Sequence, residues 1–118
     1  MFTVRNEQLE VLSDYMMNSF IKKAQNHLRQ KFPVTTRIIT DEALHGIIVK
    51  GIDKAAGYNI IEREDVLPFI EYMVSLGNDF DVSYSWARKI LRTRNIAGSE
   101  KIADLINTNP IYPESEHD

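Results

Sequence analysis

Apolar residues return every three or four positions along this chain, the spacing of a helical face, and nowhere alternate as a half-buried strand would. Leu9, Leu12, Met16, Phe20, Ala24, Leu28 and Phe32 form one stripe of a first helix, predicted to run roughly seven turns and to stop at Pro33. Val11, Tyr15 and Met17 lie off that stripe. They either widen the buried face towards a second neighbour or leave an apolar flank exposed, and the pattern leaves both open.

Residues 33–39 carry β-branched side chains without alternation and read as a connection. Thr40 then has the character of an N-cap, with Asp41 and Glu42 placed where negative charge complements the helix dipole. A second helix follows to about Ala56, with Leu44, Ile47, Ile48, Ile52 and Ala55 on its core face. Gly46 and Gly51 inside it predict the close approach of another backbone, and Gly57 and Asn59 predict its end. The third helix carries Val66, Phe69, Ile70, Met73 and Leu76. Its start is ambiguous: beginning near Glu62 leaves Pro68 in the interior, whereas beginning near Leu67 strands the acidic first turn of Glu62, Glu64 and Asp65.

Between that helix and the next, residues 76–86 combine the turn residues Gly77 and Asn78 with Phe80, Tyr84 and the single tryptophan, Trp86. Turn residues break the helix while Phe80 and Trp86 supply surface to pin the connection, so both are expected to be largely buried in an ordered clamp. Short helices follow from about Ser83 or Ser85 and from Ser99. Beyond Asn107 two prolines and a run of carboxylates predict a mobile tail. The expected architecture is an all-α bundle of about five helices over residues 1–108, followed by a flexible acidic tail over 109–118.

A chain of 118 residues suits one core, and the absence of cysteine excludes disulfides, thiolate catalysis and thiolate-bound zinc. The first residues show neither a secretory signal nor a membrane span, which makes the cytoplasm the expected compartment. A net charge of -3 argues against a general nucleic-acid binder. Asp79, Asp81 and Ser83 open like a calcium loop, but Tyr84 stands where glycine is required and Ile90 where the closing glutamate belongs. The two aspartates therefore read as capping or solvated groups. His27, His45 and His117 form no metal-binding pair, and no serine has a nucleophile context. No catalytic residue, cofactor site or metal site is assigned, and an enzyme is not expected. Arg88, Lys89, Arg92 and Arg94 make the densest basic cluster, either a solvated helix face or a surface for an acidic protein or a phosphate backbone.

The order Glu7-Gln8-Leu9, Phe20, Leu28 and Phe32-Pro33, then Gly51-Ile52, Ala55 and Tyr58, then Glu64-Asp65-Val66, Leu76-Gly77 and Asp79-Phe80-Asp81 before Trp86 and Leu91, resembles a family of small bacterial proteins encoded beside spike, adaptor and effector genes of the type VI secretion system. The likeness runs to about Leu105 and departs at Asn59, where glycine is usual, and at Ile61, where a Ser or Thr cap is usual. It implies a cytoplasmic adaptor or co-chaperone that binds a secreted effector or its larger adaptor. The alternatives are an immunity protein that neutralises a toxin and, from the basic helix, a nucleic-acid-binding regulator. Partner contact is expected through Val11, Tyr15 and Met17, with Arg88 and Arg92 as rim charges. A homo-oligomer using the same apolar residues stays open.

Overall fold

A computed structural model describes residues 3–114, with side chains from residue 15 onward. Among them the chain is all-helical: α1 (Thr3–Lys31), α2 (Pro33–Arg37), α3 (Asp41–Gly57), α4 (Arg63–Leu76), α5 (Phe80–Ser83), α6 (Ser85–Leu91) and α7 (Gly98–Thr108). The two segments beyond the expected set, α2 and α5, are single turns within stretches that read as connections. In α2, Pro33 has its φ preset at the first helical position, and the Thr36 hydroxyl and amide both donate to the Phe32 carbonyl. β-Branched residues at 34–36 hid that turn from a periodicity argument.

The core is built around α4, which packs against α1, α2, α3, α5 and α7 and buries Val66, Phe69, Ile70, Tyr72, Met73 and Val74. Its start resolves the ambiguity at Pro68. Glu62 is the N-cap, its carbonyl accepting from Asp65 and Val66, so Glu64 and Asp65 do occupy the first turn and Pro68 lies inside the helix. An interior proline costs about 3 kcal/mol, which burial along the rest of α4 offsets. Where α3 crosses α4 the spacing demands glycine: a Cβ on Gly51 would lie 2.6 Å from Ile70 Cγ1 and 3.0 Å from Met73 Sδ. Gly46 faces open space and has no such role. Thr40 caps α3 as expected, its hydroxyl accepting from the Ala43 amide at 3.1 Å.

Among the described residues of the α1 stripe, burial rises towards the C-terminal end. Ala24, Leu28 and Phe32 are buried with Ile21, Phe20 is half-buried, and Met16 is exposed. The side chains of Leu9 and Leu12 lie outside the described residues.

The clamp between α4 and α6 forms around Phe80, which is 1% exposed and packs edge-on against Phe69 at 5.1 Å and stacks on Tyr72 at 5.3 Å. Trp86 differs from expectation. It is half-buried, covering Tyr72 at 6.0 Å while its other flank meets Tyr84. Asp81 also departs from the solvated reading: it is 3% exposed and accepts from Lys54 Nζ at 2.7 Å and from the Tyr58 hydroxyl at 2.6 Å.

Residues 109–114, expected to be mobile, run along the bundle instead. The Tyr72 hydroxyl donates to the Asn109 carbonyl, Ile111 packs on the core, and the Glu114 amide donates to the Lys31 carbonyl. The Glu114 carboxylate accepts from the Val34 and Thr35 amides and from the Thr35 hydroxyl, capping α2 from a distant part of the chain. Burial alone would raise this carboxyl, but those hydrogen bonds outweigh it and hold its pKa below the ordinary value. The last four residues, 115–118, lie outside the described residues. Glu114→Ala is expected to lower stability by about 1 kcal/mol, a fall of about 4 °C in melting temperature by calorimetry. An unchanged melting temperature would show that the strap adds nothing.

A candidate docking groove

Asn59 adopts a left-handed turn, with φ of 68°, after α3, and the two isoleucines that follow it part company. Ile60 is 1% exposed in the core, whereas Ile61 is 67% exposed. That outward isoleucine, Met16, Met17 and Phe20 of α1, Ile52 of α3, and Arg63 and Val66 of α4 enclose a groove of about 180 Å³. Its walls are apolar apart from Arg63, for which no carboxylate partner occurs among the described residues. Met16 and Met17 are 46% and 39% exposed, so the groove presents two flexible thioethers to solvent beside a rigid isoleucine.

Of the expected partner-binding residues, Met17 lines this groove, and Tyr15 stands exposed next to Met16 on the same helix without lining it. The Val11 side chain lies outside the described residues. Arg88 and Arg92 are not gathered with them. Arg88 donates to the Val82 carbonyl at 2.8 Å, closing the junction between α5 and α6, and Arg92 lines a separate depression with Tyr58 and Lys101. The cation on the groove is Arg63 instead. Sequence reasoning placed Met16 and Phe20 in the core stripe and missed Ile61 and Arg63. The signal available was Asn59-Ile60-Ile61: a residue that tolerates a left-handed turn stands before two adjacent isoleucines, whose side chains point to opposite sides of an extended connection.

Two buried carboxylates lie outside the groove. Glu71 of α4 is 6% exposed, 2.5 Å from His27 Nε2 and 3.0 Å from Lys31 Nζ, so it ties α1 to α4. Tyr72 beside it is pushed up to about 12 by burial and by the Glu71 charge. Histidine beside a carboxylate is also the geometry that orients a general base, but no serine or threonine hydroxyl bonds His27 among the described residues. Asp81 is the second. Burial would raise its pKa, yet the bonds from Lys54 and Tyr58 outweigh this and lower it, while Tyr58 is pushed up to about 12 by burial and by that bond. Both carboxylates serve as cross-links. No group of three metal-ligating side chains occurs among the described residues, and none of their helices is long and apolar enough to cross a membrane.

No protein-family model, curated protein or solved structure matches the chain.

Proposed function

We propose that this chain is a non-catalytic accessory protein, an adaptor or co-chaperone, that binds a type VI secretion effector or its larger adaptor in the cytoplasm through the groove between α1, α3 and the start of α4. The observation that carries this reading is the clustering of Met16, Met17 and Ile61 around an apolar groove that is open among the described residues. Exposed methionine and isoleucine gathered beside one cation have the composition of a protein-docking surface, and thioethers adapt to differing partner side chains. Fully burying a side chain of that size contributes about 1.5–3 kcal/mol, so a few such residues suffice to anchor a partner. The resemblance in sequence supplies the partner class.

The test is co-expression with the product of each adjacent effector, adaptor and spike gene, followed by co-purification. Recovery with an effector or adaptor is the expected result. Rescue of toxin-expressing cells by this protein alone, with no effect on effector delivery, would instead assign immunity.

A further inference from the structure

Arg92 and Arg94, in the turn after α6, lie at a different place from the groove. Tyr58 and Asn59 after α3, Arg92, Arg94 and Asn95 after α6, and Lys101 of α7 border an open depression of about 540 Å³. The walls come from three separate parts of the chain. They are held together where Gly98 meets the α3–α4 turn so closely that a Cβ there would lie 2.3 Å from the Asn59 carbonyl oxygen. Lys101 is only 7% exposed, and the single hydrogen bond of its ammonium runs to the Tyr58 carbonyl at 2.9 Å, leaving donors to spare. Neither it nor Arg92 nor Arg94 pairs with a carboxylate among the described residues, and Glu100 and Asp104 of α7 pair with none of them. The Tyr58 hydroxyl is committed to Asp81, whose charge Lys54 already meets.

Lys101 keeps donors free at the wall of the depression while Arg92 and Arg94 are exposed on its border, so three cations face one opening with no carboxylate among the described residues to meet them. One carboxylate would leave most of that charge unmatched, whereas a phosphate group offers more than one negative charge and the oxygen geometry that arginine forks engage. We propose that Lys101, Arg92 and Arg94 form a binding site for a phosphate-bearing ligand, independent of the docking groove.

Isothermal titration in phosphate-free buffer of low ionic strength tests this, with pyrophosphate and a short single-stranded oligonucleotide lacking terminal phosphate as separate probes. Saturable binding of pyrophosphate, weakened at least about tenfold in Arg92→Gln/Arg94→Gln and in Lys101→Met, is the expected result and assigns a free phosphate ligand. Binding of the oligonucleotide alone, with the same loss in the variants, assigns a phosphodiester source to the same site. The exposed arginine pair decides the matter if Lys101→Met fails to fold. No binding of either probe, unchanged binding in the arginine variant, or an equal loss in the control Lys22→Gln/Lys23→Gln overturns the site.

Discussion

Replacing Phe80 with alanine is expected to lower the unfolding free energy by about 3–5 kcal/mol, the range for removing a fully buried phenyl ring from a core that relaxes only in part. Phe80 is the third ring of a cluster with Phe69 and Tyr72, and it lies in the one-turn helix that links α4 to α6. Its loss removes apolar burial and two aromatic contacts, and it releases a four-residue helix that has no stability of its own. Trp86→Ala is expected to cost less, because that side chain is only half-buried. Urea denaturation followed by circular dichroism compares the two. A larger loss in the tryptophan variant would place the anchor of the clamp at α6 instead.

Asp81→Ala is expected to destabilise by about 3 kcal/mol, towards the lower end for breaking a buried ion pair, since Lys54 retains the Asn78 carbonyl at 2.8 Å and exposed Asp79 at 3.7 Å. Its pH dependence identifies the cause. The folded pKa of Asp81 lies below the unfolded value, so its contribution is present above the unfolded pKa and is lost as pH falls through the folded one. The wild type should therefore lose stability on acidification below about pH 4 more steeply than Asp81→Ala. Tyr58 acts at the other end: its folded pKa, raised to about 12, gives a contribution that is present below about pH 10 and is lost as pH rises towards 12. Removing Asp81 takes away one cause of that rise, and ultraviolet titration of Tyr58 should show its pKa falling back. Parallel acid limbs in wild type and variant would show that Asp81 is not held as an ion pair.

The helical class and most element boundaries were legible because they rest on local chemistry. Thr40 with Asp41 and Glu42 marks a helix start by capping alone, and Val66, Phe69, Ile70 and Met73 mark a buried face by spacing alone. Features that depend on distant residues were not legible. Glu114 caps α2 across most of the chain, so the acidic stretch that contains it reads as solvated when taken by itself. Asp81 becomes a buried anion only because α3 brings Lys54 and Tyr58 to it. The groove was half legible. Met17 stands off the α1 stripe in the sequence, but Ile61 and Arg63 join it only once the left-handed turn at Asn59 has set the path between α3 and α4.

The central claim, that this groove docks a partner protein, is tested most directly by measuring the affinity of wild type and of Met17→Glu/Ile61→Glu for the proposed partner, the adjacent-gene product recovered by co-purification. Both side chains already face solvent in part, so the variant should retain its helical circular dichroism and melting temperature. The account predicts that it binds at least about 100-fold more weakly, or about 2.7 kcal/mol, because two anchors are replaced by charges that must be desolvated. A folded variant that binds as tightly as wild type would contradict it.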